Sequence, residues 1–142
     1  MAKRLIGANT LAHFCVDFAC HYAYFALFMP EGINAPLGAL AYNGVAFALQ
    51  PFIGLACDRR RHFPVGVLGC ALLLCGLPLC LLSPWAGLLL CALGNACFHV
   101  GGGRDCLAAS KGRMAGNGVF VSSGALGVAL GALAGRAGLS IW

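Results

Sequence analysis

The sequence predicts an all-α membrane protein with five transmembrane helices, and three observations predict it. Of 142 residues, 61% are hydrophobic and 9% are charged, against about 25% charged in a soluble domain. The mean hydropathy is +0.87. The apolar residues fall into five runs, at roughly 5–29, 38–56, 63–82, 85–103 and 115–135, each near the ~20 residues a helix needs to cross a bilayer. A closed barrel would need alternating strands of about 10 residues instead. One small core cannot hide this much apolar surface, so the lipid bilayer is the expected solvent. Residues 1–142 read as one transmembrane bundle.

The first span carries Asn9, His13, Asp17 and His21 at a spacing of four, which places them in one stripe of a helix. A carboxylate at the centre of a membrane helix costs about 2.5–3.5 kcal/mol on insertion scales. Such a stripe is kept only where it faces a water-filled cavity or a polar partner. Asp17 is the candidate proton-coupling acid, flanked one turn away on each side by His13 and His21. Burial favours a neutral carboxyl group and a neighbouring imidazolium favours a carboxylate, so the group can exchange a proton with its partners. The opening Met1-Ala2-Lys3-Arg4 does not make this span a signal peptide. The apolar run is too long, carries His13 and Asp17, and lacks a clean small-x-small cleavage site.

The second span carries Asn43 and Gln50, seven apart and expected to line one cavity, and continues through Pro51 and Gly54 to Asp58-Arg59-Arg60-Arg61. The third is apolar throughout. The fourth ends in Gly94-Asn95-Ala96-Cys97-Phe98-His99, where Asn95 and His99 share a face and are expected to supply the opposite wall. Gly101-Gly102-Gly103 before Arg104 fits no phosphate-binding loop and reads as a flexible helix end. The fifth carries Gly124, Gly127, Gly131 and Gly135, a stripe suited to close helix packing; a conformational hinge is the sharper alternative. The chain stops at Ser140-Ile141-Trp142 without a closing polar tail, which gives the expectation of an N-terminal fragment.

Eight of the nine Lys and Arg residues lie on one side of the alternating topology: Lys3, Arg4, Arg59, Arg60, Arg61, Arg104, Lys111 and Arg113. The opposite loops carry only Glu31, and Arg136 is the single basic residue on that side. The positive-inside rule puts the N-terminus in the cytoplasm. The net charge of +5 follows from this bias and calls for no nucleic-acid partner. None of the nine cysteines forms a C-x-x-C pair, so they read as small polarizable packing residues rather than a metal or disulfide framework.

The run Gly54-x-x-x-Asp58-Arg59 resembles the G-x-x-x-D-R-x-G-R signature between the second and third helices of the major facilitator superfamily. There Gly54 would allow close helix approach. Asp58 would hold a neighbouring helix terminus or a basic residue, and the arginines would anchor at the headgroups. With Arg104 these residues form the expected gating motif. His13-x-x-x-Asp17, Gln50-Pro51 and Phe98-His99 followed by Arg104 narrow the resemblance to the fosmidomycin-resistance-type efflux branch of that superfamily, over about residues 10–135. This chain departs from the branch in three places. Val100-Gly101 replaces Pro-Glu, an arginine stands where the signature has its second glycine, and the glycine-rich fifth span lacks the usual proline.

The resemblance implies the first five helices of an N-terminal six-helix bundle, within a carrier whose C-terminal half lies beyond this chain. It implies a proton-coupled exporter of a small molecule, not an enzyme, with protons and that substrate as its partners and no cofactor. The expected location is the bacterial inner (plasma) membrane. In that fold Asn43, Gln50, Asn95 and His99 would line the central path, with Asp17, His13 and His21 coupling it to protons. Two other functions compete. One is a small non-transporting membrane protein or remnant. The other is a membrane haem protein using His13, His21 and His99 as iron ligands.

Overall fold

The computed structural model describes residues 2–60 and 63–139; Arg61 of the basic loop and the terminal Ser140-Ile141-Trp142 lie outside the described residues. Every element among the described residues is helical: α1 (Ala2–Ala23), a π-helical turn (Tyr24–Phe28), α2 (Ala35–Ala48), α3 (Gln50–Arg59), α4 (Val65–Leu79), α5 (Pro84–Ala109) and α6 (Met114–Arg136). Among the described residues, four helical stretches are long and apolar enough to cross a membrane: Ala2–Phe28, Ala35–Arg59, Pro84–Ala109 and Met114–Arg136.

The expected third span of 63–82 is shorter than its apolar run. The helix proper is Val65–Leu79, 15 residues, or about 22 Å at 1.5 Å per residue, against a hydrocarbon core of about 30 Å. Prolines set both limits. Pro64 is its N-cap, Pro78 sits in its last turn, and the chain turns through residues 80–82 before Ser83 caps α5 by accepting from Ala86 N–H at 3.4 Å. The second span is continuous in direction but broken in register. Pro51, at the start of α3, has no N–H to donate, and α2 gives way to α3 at Leu49.

The fourth span runs six residues past its expected end. Gly101-Gly102-Gly103 is not a loose helix end; it is the interior of α5, and Gly101 and Gly102 are buried. Close packing is the reason. A side chain at Gly101 would strike the Gly66 backbone of α4, and one at Gly102 would strike the Phe120 ring at 2.7 Å. Further along the same pair of helices, a Cβ at Gly69 would lie 2.5 Å from Phe98 N and 2.6 Å from Gly94 O. α4 and α5 therefore touch backbone to backbone, the arrangement small residues permit where lipid supplies no hydrophobic drive between helices.

α1 and α6 form the second close pair by the same means. Gly127 and Gly131 of α6 sit against the Phe14 and Phe18 backbone, and Gly135 against Tyr22. α5 lies at the centre and touches α1, α2, α3, α4 and α6. The outer faces remain apolar: Leu11, Leu40, Phe52, Val67, Leu74, Leu82, Met114 and Leu133 are all well over half or about two-thirds exposed. That surface is compatible with a bilayer and costly in water.

Candidate functional site

The contact between α1, α5 and α6 creates the site. α1 presents His13 and Asp17 one turn apart, both buried. Helical side chains lean toward the N-terminus, so the Asp17 carboxylate reaches back to His13 and its Oδ2 lies 3.1 Å from His13 Nε2. α5 supplies His99, whose Nε2 is 3.2 Å from Asp17 Oδ1 and 3.0 Å from His13 Nε2. It also supplies Asn95, whose Nδ2 donates to Asp17 Oδ1 at 2.8 Å from a position buried behind the carboxylate. α6 supplies a backbone group, the Phe120 carbonyl, 2.7 Å from His13 Nδ1, and its ring stacks on the imidazole with centroids 4.2 Å apart. Gly124 makes room for the cluster, since a Cβ there would fall 2.5 Å from Asp17 Oδ2 and closer still to the His13 ring.

The cluster forms one wall of an open cavity of about 400 Å³, whose lining includes Phe47, Gln50, Asn117 and Val121 as well as His13, Asp17 and His99. Its walls come from α1, α2, α3, α5 and α6. His13, Asp17, Asn95, His99 and Gln50 come together, but His99 touches Asp17 on one wall instead of facing it from the opposite one, and Asn95 lies behind that wall.

Two expected members lie elsewhere. His21 does not flank the Asp17 carboxylate. The N-terminal lean that joins Asp17 to His13 carries it away from His21, whose Nδ1 meets the Asp17 backbone carbonyl at 3.0 Å and whose ring stands edge-on to Tyr42. Asn43 is exposed and borders a separate cavity of about 130 Å³ with His21, Cys20 and Tyr42. The helix break at Leu49 separates it from Gln50, so a spacing of seven does not keep the two on one wall. Asn43 donates to the Ala39 carbonyl of its own helix at 2.8 Å, and Gln50, at the start of α3, donates back to the Ala46 carbonyl of α2 at 2.9 Å.

The expected gating residues do not meet either. A Cβ at Gly54 would touch nothing within 4 Å, so no close approach requires a glycine there. Asp58 and Arg59 are exposed and form no ion pair among the described residues. Arg104 pairs with its neighbour Asp105 at 3.1 Å and donates to the Phe63 carbonyl at 3.3 Å. His13 and His99 approach each other to 3.0 Å, too near for this pair to serve as two axial haem ligands about 2 Å from an iron on opposite faces.

Sequence reasoning misses three contributors. Phe120 acts through its carbonyl, which no residue type announces. Gly124 is visible only as one member of a packing stripe. Cys20, 3.8 Å from Asn95 Nδ2, resembles any buried thiol. No family model, curated protein or solved structure matches the chain.

Proposed function

We propose that this chain works as the N-terminal part of a proton-coupled secondary transporter of the major facilitator type, exporting a small molecule across a bacterial inner membrane with its N-terminus in the cytoplasm. In this reading α4 completes a set of five spans. The observation that carries it is the His13–Asp17–His99 cluster, an ionisable group of three at mid-helix among apolar spans and facing an open cavity. Buried ionisable residues in membrane helices are expensive and mark substrate or proton paths. Three features supply the elements of coupling. Asp17 can hold a proton, His13 and His99 stand within hydrogen-bond reach to exchange it, and the open cavity gives the cluster access. Asn95 holds the carboxylate in place, and Gln50 offers an amide to a substrate in the same cavity. The Gly54–Asp58–Arg59 run and the one-sided basic loops support the family resemblance and the orientation.

The test uses inside-out vesicles holding the transporter, an imposed pH gradient, and fosmidomycin with a set of lipophilic cationic dyes as probes. At least one probe should accumulate against its gradient with release of protons, and Asp17→Asn should abolish that accumulation while the protein still inserts. A neutral amide is cheaper in lipid than a carboxylate. Accumulation by Asp17→Asn at the wild-type rate, or no gradient-dependent movement of any probe, overturns the reading.

A further inference from the structure

The same three side chains also have the chemistry of a metal site. A carbonyl oxygen only accepts, so the 2.7 Å contact from His13 Nδ1 to Phe120 O fixes the hydrogen on Nδ1. A neutral His13 then carries its lone pair on Nε2. That lone pair faces Asp17 Oδ2 at 3.1 Å and His99 Nε2 at 3.0 Å, while His99 Nε2 is 3.2 Å from Asp17 Oδ1. With the His99 hydrogen on Nδ1, three acceptor atoms converge at these distances and repel one another unless a proton or a metal cation lies among them.

We propose that His13 Nε2, His99 Nε2 and one carboxylate oxygen of Asp17 bind a divalent transition-metal ion of the zinc class, with a fourth position open to the cavity. The ligand set selects the ion. Two imidazoles and one carboxylate suit zinc, cobalt, iron or nickel, whereas magnesium and calcium favour oxygen alone. Taking one atom from each residue, the donors lie within 4.8 Å of one another. The two imidazole nitrogens are 3.0 Å apart and reach different carboxylate oxygens, Oδ2 at 3.1 Å and Oδ1 at 3.2 Å, so a small rotation of the carboxylate brings one oxygen toward the ~3.3 Å edge of a tetrahedron with bonds of about 2.05 Å.

A supporting shell is in place for two of the three ligands. Metal-bound histidines donate their other N–H to a carbonyl or carboxylate, and bound carboxylates are themselves hydrogen-bonded. Phe120 O does the first for His13, and Asn95 Nδ2 does the second for Asp17 at 2.8 Å. Three protein ligands beside a 400 Å³ cavity leave an open coordination position, unlike the closed four-ligand sites that serve structure alone. The site needs no transport to be occupied, so it stands apart from the carrier reading.

Cobalt tests it, because its spectrum separates nitrogen and oxygen ligands from the nine thiols of the chain. The untagged protein in detergent micelles, titrated with Co²⁺ under argon, should bind one ion per chain. It should show visible d–d bands and no thiolate-to-cobalt charge-transfer band. His99→Ala and Asp17→Ala should each weaken binding more than about a hundredfold, beyond the effect of losing only a supporting residue. His21→Ala should leave it unchanged, since that ring is turned to a backbone carbonyl. Circular dichroism checks the helices, and His99→Gln replaces any variant that unfolds, at a partly exposed position. The proposal is overturned by no Co²⁺ uptake in the wild type, by a thiolate band, or by equal affinity in the His99 variants. No uptake would mean that protons alone bridge the cluster, and either of the other results would place the ion elsewhere, the thiolate band on the cysteines.

Discussion

His99 on α5 brings its Nε2 to 3.2 Å from Asp17 Oδ1 on α1, across 82 residues of sequence. The contact ties the central helix to the first span through the most expensive side chain in either. It also makes the carboxylate the shared partner of two imidazoles, 3.1 Å from one and 3.2 Å from the other. A single i,i+4 pair on α1 would be a local helix feature. The third member makes the cluster a property of the bundle.

His13→Ala should move the pH optimum of transport by about one unit, the scale on which a charge within about 4–6 Å acts on an acid. The groups left facing Asp17 are His99 and Asn95 from α5, with Cys20 on α1 and Tyr42 on α2 nearby, while the His21 ring is turned to the Asp17 backbone carbonyl. A rate-versus-pH profile in vesicles measures the shift. A profile that superimposes on the wild type would show that His13 serves only to satisfy the Phe120 carbonyl.

Two glycines of α6 should respond to alanine with opposite signs. Alanine is favoured over glycine inside a helix by about 1 kcal/mol, and a Cβ at Gly118 meets nothing within 4 Å. Gly118→Ala should therefore raise the unfolding temperature in detergent slightly. At Gly124 the added carbon would press on the His13 ring and on Asp17 Oδ2, an overpacking cost of about 1–3 kcal/mol. Gly124→Ala should lower the unfolding temperature and slow transport together. Equal gains at both positions would mean that α6 does not press on the cluster.

Asp58→Asn should change stability by less than about 0.5 kcal/mol, as for a surface change away from any special feature, because Asp58 is exposed and makes no ion pair among the described residues. In the transporter it should slow turnover while leaving probe binding nearly intact. A large loss of equilibrium binding at a normal exchange rate would instead place Asp58 in the substrate path.

Orientation can be read from introduced thiols. The native Cys57 and Cys106 sit at the basic ends of their helices but are 5% and 0% exposed, which makes them poor reporters. Arg113→Cys and Glu31→Cys lie at exposed positions between helices. A membrane-impermeant maleimide should label Glu31→Cys in intact cells and Arg113→Cys only in inside-out vesicles. The reverse pattern would invert the topology.

Composition and periodicity alone determine that this chain is helical and apolar enough for a membrane, because lipid demands long uninterrupted runs and leaves them plain in the sequence. The i,i+4 stripe likewise gives His13 and Asp17 one helix face, since 3.6 residues per turn is a local property. Which members of the stripe meet is decided in three dimensions. Asp17 turns to His13 and not His21 by the lean of helical side chains, and it gains His99 and Asn95 only because α5 packs beside α1. Backbone contacts have no signature in residue type, so the Phe120 carbonyl could not be anticipated. The Gly101-Gly102-Gly103 run shows the same limit. Glycine propensity alone argues for a helix end, yet the closeness of α4 and α6 makes these positions helical and two of them buried, because only residues without side chains fit between the helices.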